Sequence, residues 1–392
     1  ILCGDPDPVP SPVPSPRALS CLVALSPLAA CGPAPVPAMG PMVPPICRSD
    51  PVPTRPGVAT QPVAFVGPAQ SPELEDRAHL DRWCAAVGRP IADIRSHGSV
   101  ASNDFVVMTW NVAVGEAALV STIREVDSLM ALEGVPGEHL IVLVQETYAA
   151  KNAVPARPPA LPKGAGRLGA DRRPDTPTEI SDVAAALGMS LFYAPSMRNG
   201  DNDDPGPAED RGNAILTRLP MTDLVAIELP FERQRRVAVA ATVTLAAADG
   251  VPIDIQIVNT HLDNRGRSTD LINASGRERQ ARGLLQALER YPAPVGLVAG
   301  DLNTIASREG ALDVLSAAFP RYESVGKPTG PLSFIFTLDH MMFRIPDDWQ
   351  SCVTRYGDRR GSDHFPLIGR VRIGPSPELL PCPEWPPTEE GT

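Results

Sequence analysis

No stretch of this chain is apolar and unbroken for long enough to cross a bilayer as a helix. The nearest approach, Ala18 to Leu28, is short and is interrupted by Ser26 and Pro27. Positive charge is also scarce: 35 Lys and Arg face 46 Asp and Glu, a formal net charge of -11 over 392 residues, so the surface as a whole repels phosphate polymers. A nucleic acid has to be met by a local basic patch or through metal ions. No internal repeat is visible. There is no aromatic wedge or long basic helix of the kind that deforms a duplex, and no extended apolar hairpin of the kind that enters a membrane surface.

Proline is in excess. The 46 prolines concentrate before residue 75 and after residue 374, so both ends read as tails around one central domain. Near the start, Arg17 and the apolar run after it lead into Leu28-Ala29-Ala30-Cys31-Gly32, which reads as an export signal. The tetrapeptide ending at Cys31 resembles the lipobox of bacterial lipoproteins, which implies cleavage before Cys31 and a lipid anchor on it as the only membrane attachment. The expected organisation is a signal over 1–31, a Pro-rich tether over 32–72, a helical extension over 73–100, a folded domain over 101–375 and a Pro-rich tail over 376–392. The protein is then expected to be a monomeric exported lipoprotein, periplasmic or on the outer membrane or cell surface.

Seven cysteines fit that compartment. Cys3 and Cys21 leave with the signal and Cys31 carries lipid, so Cys47, Cys84, Cys352 and Cys382 remain, an even number. Of the three pairings, Cys84 with Cys352 is the one expected, because both lie near the edges of the folded domain.

Beyond Val100 one design recurs: a short apolar strand that ends in a polar residue. Phe105 to Trp110 ends at Asn111, Leu140 to Val144 at Gln145-Glu146, Ile253 to Val258 at Asn259-Thr260-His261, and Val295 to Ala299 at Gly300-Asp301-Leu302-Asn303. Ile253, Ile255 and Ile257 alternate with polar residues, whereas Ile141 to Val144 is apolar throughout, as in a strand covered on both faces. Helical patterns fall between, at Ala117 to Leu132, Glu179 to Leu187 and Gly276 to Arg290. This alternation points to an α/β sandwich with mixed sheets.

The strand-end residues suit phosphate-ester chemistry. Mg²⁺ or Mn²⁺ needs a hard oxygen with room for retained waters, which Glu146 offers, with Asn111 adding an amide oxygen or an orienting hydrogen bond. Asp301 and Asn303 form an i, i+2 pair able to hold and deprotonate a water. His261 and His364, each in a polar cluster, are candidates for neutralising charge on the phosphate oxygens. Singly, each has an ordinary structural use: Asn111 caps turns well, Asp301 follows a glycine, and Asp339 could pair with Arg344.

Taken in order, Thr109-Trp110-Asn111, Gln145-Glu146, Gly212-Asn213-Ala214-Ile215-Leu216, Asn259-Thr260-His261-Leu262, Gly300-Asp301-Leu302-Asn303, Leu338-Asp339-His340 and Ser362-Asp363-His364 resemble the endonuclease/exonuclease/phosphatase superfamily. The resemblance covers about Asn103 to Arg372. It implies a four-layer α/β/β/α sandwich of two stacked mixed sheets with outer helices. It also implies that Glu146 binds the metal, helped by Asn111 and Asp363, that Asp301 activates the attacking water beside Asn303, and that His364 contacts the scissile phosphate while Asp339 keeps it protonated. His261 matches a position at the phosphate or leaving oxygen, and Asn213 and Arg211 are expected on the substrate side.

Superfamily membership does not fix the substrate. Lys151 to Thr178 is a Pro/Gly-rich basic segment carrying Lys151, Arg157, Lys163, Arg167, Arg172 and Arg173, readable either as a polyanion-binding flap or as a solvated insertion. Asn199 to Asp210 is acidic and argues against tight duplex binding. Leu262-Asp263-Asn264-Arg265-Gly266, with Arg277-Glu278-Arg279-Gln280 opening the next helix, is similar to tyrosyl-DNA phosphodiesterase and its bacterial relatives, which favours phosphodiester cleavage. The expectation is a metal-dependent phosphodiesterase, with nucleic acid among its candidate substrates. Phospholipid or inositol-phosphate hydrolysis is the alternative on the same fold. A silent cell-surface binding module is the alternative of another class, and loss of a metal ligand would be its mark.

Overall fold

The computed structural model describes residues 47, 50–52, 61–67, 74–98, 100–156, 176–199, 208–264, 274–322, 324–331 and 336–382, all within one unit spanning 39–392. In chain order the elements are β1 (Ala64–Val66), α1 (Leu74–Ala86), β2 (Ile91–Asp93), β3 (Asp104–Asn111), α2 (Leu119–Leu132), β4 (Leu140–Ala149), α3 (Ile180–Leu187), β5 (Ser190–Arg198), β6 (Asp210–Thr217), β7 (Met221–Glu228), β8 (Val237–Ala246), β9 (Pro252–His261), α4 (Ala274–Leu288), β10 (Gly296–Asp301), α5 (Gly310–Ala318), β11 (Arg321–Tyr322), β12 (Asp339–Arg344), β13 (Gln350–Arg355) and β14 (Leu367–Arg372). They build two seven-stranded sheets, ordered β1-β7-β8-β9-β10-β12-β11 and β13-β14-β3-β4-β6-β5-β2. Both are mixed: β3 and β4 run parallel in one sheet, β9 and β10 in the other, with antiparallel neighbours.

Period-two alternation sorts the side chains into layers. Phe105 and Val107 of β3, Ile141 and Leu143 of β4, Ile255 and Ile257 of β9, Leu297 and Ala299 of β10, and Met341 and Phe343 of β12 meet between the sheets. Their sequence neighbours point outward. Val106, Val142 and Val144 pack under Ile123, Val126 and Met130 of α2 and Val183 of α3, while Val258, Val298 and Met342 pack under Leu284 of α4 and Leu315 of α5. Helices therefore cover both outer faces, completing the expected four layers.

The ends of the folded domain differ from the sequence reading. Ala64–Val66 lies inside the segment read as a tether, yet it pairs in parallel with β7 and buries Val66. Three residues are too few to carry a periodic signal, but they suffice to occupy a sheet edge. In the segment read as a tail, Gln350 on β13 donates to the carbonyls of Ser376 and Glu378 at 3.3 and 3.1 Å. The export signal, the lipobox and Cys3, Cys21 and Cys31 lie outside the described residues, as do 383–392.

The expected Cys84–Cys352 bond does not form. Cys84 is bonded to Cys47, with Cα atoms 5.4 Å apart. Helix α1 packs on β5, five strand positions from β13, where Cys352 lies. At about 4.8 Å per strand that is about 24 Å, far beyond disulfide reach. Strand order, which the sequence did not reveal, decides the pairing.

Candidate active site

The alternation that fills the inter-sheet core continues past its apolar part. After Phe105 and Val107 come Thr109 and Asn111; after Ile255 and Ile257 come Asn259 and His261; after Leu297 and Ala299 comes Asp301; and β12, running the other way, starts with Asp339 before Met341. Register aligns these ends, because Asp301 is paired with His261 on one side and Asp339 on the other. The sheets therefore splay their polar ends into one cleft of about 240 Å³, lined by Asn111, Glu116, Glu146, His261, Asp301, Asn303, Asp363 and His364 among others.

Glu146 arrives there by an irregularity. The pairing of β4 with β6 shifts between Val144 and Thr147, and Glu146 takes a φ of 53°, so a bulge turns its carboxylate into the cleft. Among the described residues seven non-glycines have positive φ, and four of them, Ala113, Val114, Glu146 and Asn303, line this cleft. Such backbone costs about 1–3 kcal/mol per residue and collects where function needs it. Gly300, with φ 143°, is forced by packing, since a Cβ there would collide with the Thr260 carbonyl.

Asp301 is the hub. Its Oδ2 accepts from Asn111 Nδ2 at 3.0 Å and lies 3.3 Å from His261 Nε2 and 3.7 Å from His364 Nε2, while Oδ1 accepts from the Asn303 backbone N–H at 2.9 Å. Burial raises its pKa, His364 pulls it back and Asp339 adds to it, and the result is about 7. His364 Nδ1 is 2.8 Å from Asp339 Oδ2. Burial opposes charge on His364, but the carboxylates of Asp339 and Asp301 outweigh it and push the pKa up to about 10. His261 goes the other way: burial, then the charges of Arg236, His364 and Arg211, hold it well below the ordinary range. One cleft thus holds an imidazolium and a neutral imidazole on either side of a carboxyl poised near neutrality.

Asp301, Asp339 and His364 also offer atoms close enough together to suggest a cation site. The 2.8 Å hydrogen bond between His364 and Asp339 and the raised pKa of the imidazole also suit these three groups to handling a proton. Hard oxygens lie elsewhere on the wall. Glu146 is one-fifth exposed, with Arg211 Nη1 at 3.2 Å, Asn111 is beside it, and Asp363 is exposed on the rim. One or two carboxylates, an amide and space for waters fit a divalent ion of the Mg²⁺ class.

Of the residues read from the sequence, Asn111, Glu146, His261, Asp301, Asn303, Asp363 and His364 line the cleft and Asp339 stands directly behind His364. Arg211 reaches the site through Glu146, its other nitrogen being 3.0 Å from Met197 Sδ. Asn213 is buried and donates to the Val237 carbonyl at 2.7 Å, away from the cleft lining. Asp339 pairs with His364, while Arg344 turns to Gln256. Arg277 and Arg279 are taken by Glu309 and Glu232, so that motif docks a helix. Lys151 pairs with Asp182. The other basic residues of its segment, together with Asp201, Asp203, Asp204, Arg265 and Gly266, lie outside the described residues.

Several supporting residues stood unassigned inside the motifs. Trp110 Nε1 donates to the His364 carbonyl at 3.0 Å, and the Ser362 hydroxyl donates to the Asn111 carbonyl at 2.6 Å and accepts from the His364 N–H. Gln145 Nε2 donates to Thr109 Oγ1 and, at 2.7 Å, to Asn259 Oδ1, while Asn259 donates to the carbonyls of Val144 and Ala214. This fully buried bridge ties the two sheets together just beneath the cleft. Its signal in the sequence was a polar side chain at a core-facing position. Glu116 and Arg236 carried no such signal.

Comparison with known proteins follows the same line. A search among curated proteins returns no match. Among solved structures, an endonuclease/exonuclease/phosphatase from Beutenbergia cavernae DSM 12333 is 18% identical, covering 69% of this chain and 72% of that one with a TM-score of 0.48. The human nocturnin catalytic domain is 16% identical over 71% of this chain and 97% of that one, TM-score 0.43. Sphingomyelinase C from Streptomyces griseocarneus is 15% identical over 70% and 99%, TM-score 0.42. Residues 108–364, well over half of the sequence, match the Endonuclease/Exonuclease/phosphatase family, and the chain belongs to that family.

Proposed function

We propose that this protein is an exported phosphodiesterase that depends on a divalent metal and hydrolyses its substrate with a water activated by Asp301. Members of the family hydrolyse phosphoesters, and the observation that carries the finer reading is the set of distances around Asp301 Oδ2: 3.0 Å to Asn111, 3.3 Å to His261 and 3.7 Å to His364. A carboxyl with a pKa of about 7 is half ionised at neutrality, where it takes a proton from water most usefully. The imidazolium of His364, fixed by Asp339, offers Nε2–H to a non-bridging phosphate oxygen as charge builds there. Neutral His261 and the Asn303 amide orient water and phosphate. Glu146, with Asn111 and Asp363, would hold Mg²⁺ or Mn²⁺, which supplies charge neutralisation at the phosphate when bound. The Cys47–Cys84 bond supports export, since such bonds are rare in reducing compartments.

Release of p-nitrophenol from bis(p-nitrophenyl) phosphate tests this. Turnover is expected with Mg²⁺ or Mn²⁺ and lost in EDTA, and Asp301→Asn should lower it by about 10³-fold with folding retained. No turnover of this or any other phosphodiester with any divalent ion rejects the proposal.

A further inference from the structure

Phe365 directly follows His364, and its ring carries two guanidinium groups: Arg355 at 4.0 Å from the centroid and Arg359 at 4.7 Å. Both arginines are half-buried. Arg355 Nη1 donates to the Pro328 carbonyl at 2.8 Å, and Arg359 Nη2 donates to the Gly330 carbonyl at 2.8 Å and faces that of Pro331 at 3.5 Å. Pro331 is itself part of the cleft wall, as are Asp363 and His364.

These two half-buried cations differ from four of the chain's buried arginines. Arg211, Arg235, Arg277 and Arg370 each have a carboxylate within 3.2 Å. Among the described residues neither Arg355 nor Arg359 has one, and their protein partners are neutral carbonyls. In a chain with 46 acidic residues against 35 basic ones, two arginines that share the Phe365 ring next to His364, with no acidic partner among the described residues, concentrate positive charge beside the cleft. Burial and then the like charge of Arg359 lower the pKa of Arg355, as expected when a counter-anion is missing. Ring stacking holds the planar groups in place, and Nε of each guanidinium is buried without a hydrogen-bond partner.

We infer that Arg355 and Arg359, braced on Phe365, form a subsite for a second, non-reacting phosphate of the substrate. This rests on the phosphodiesterase reading and narrows it to substrates with more than one phosphate, either a single-stranded nucleic-acid backbone or a multiply phosphorylated inositol. A lone phosphodiester fills only the cleft.

Binding can be read without turnover, on the whole protein in EDTA. A fluorescein-labelled single-stranded oligodeoxynucleotide is followed by anisotropy, and inositol hexakisphosphate by calorimetry, each at several salt concentrations. Arg355→Gln/Arg359→Gln should weaken at least one of them by about tenfold or more and lower the salt slope by about one per lost contact, whereas Arg355→Lys/Arg359→Lys should retain most of the salt-dependent binding. The probe that responds identifies the source of the phosphate. Mapping of phenylglyoxal modification provides a readout free of substitutions: a saturating probe should protect Arg355 and Arg359. Failure of the wild type to bind either probe, or equal affinity and slope in the glutamine variant with no protection, overturns the subsite. Failure of the phosphodiesterase reading appears separately, as absent hydrolysis of bis(p-nitrophenyl) phosphate.

Discussion

Two histidines flank Asp339 in space and differ in everything but burial. His364, on the cleft side, has a carboxylate on each side, Asp339 at 2.8 Å and Asp301 at 3.7 Å, and its pKa rises to about 10. His340, next along β12 and facing α5, meets neutral groups: Thr304 Oγ1 at 2.7 Å and the Thr337 carbonyl at 3.1 Å near Nε2, and the Tyr322 hydroxyl at 2.9 Å from Nδ1. Burial therefore prevails there and lowers the pKa to about 4, even against the charge of Asp339. One residue along β12 turns the side chain to the other face of the sheet, so Asp339 meets His364 on the cleft side while His340 sits among neutral groups on the outer side.

The strongest way to break this contrast is Asp339→Asn. It should leave His364 with one carboxylate fewer and make it behave more like His340, lowering hydrolysis of bis(p-nitrophenyl) phosphate by about 10² to 10³-fold while the fold persists. An effect under tenfold would mean that the pair is merely structural.

A second test acts on the other ring. The folded-state pKa of His340 lies below its ordinary value, so the unfolded chain takes up a proton that the folded chain resists. The stabilisation is therefore present above about pH 6.5 and is lost as pH falls towards 4. The shift corresponds to about 3 kcal/mol. Asp210, whose burial raises its pKa to about 6, works oppositely in the same range, so the difference between wild type and His340→Gln must be measured. Urea unfolding of both proteins from pH 7 to 4.5 should show the wild type losing its advantage in acid; a pH-independent difference would contradict the assignment. Hydrolysis at neutral pH should be little changed in His340→Gln.

The smallest expected effect sharpens the same contrast. Tyr322→Phe removes the hydroxyl that faces Nδ1 of His340 and should cost about 1 kcal/mol in unfolding experiments, with activity untouched. A drop in activity would show that the outer cluster communicates with the cleft.

The residues that line the cleft were legible because the apolar runs of β3, β4, β9 and β10 each give way to polar residues, and because the order of these motifs resembles one family. Much of the rest was not. β5 carries Pro195 and Ser196 within it and shifts register there, which hides its alternation. The short α5 begins at Gly310 and shows little helical signal. The bulge that delivers Glu146 depends on a backbone angle, and the Cys47–Cys84 bond depends on strand order. Arg355 and Arg359 look in sequence like solvated charges, and only the placement of Phe365 between strand and cleft gives them a shared position.

The most direct test of the whole account is a ¹⁵N imidazole titration of the metal-free protein. His364 is expected to remain doubly protonated beyond pH 8 and to lose that property in Asp339→Asn, while His340 and His261 stay neutral at pH 6. If all three rings titrated together near pH 6.5, the division of the site into a phosphate-binding cation, a neutral partner and a water-activating carboxyl would be wrong.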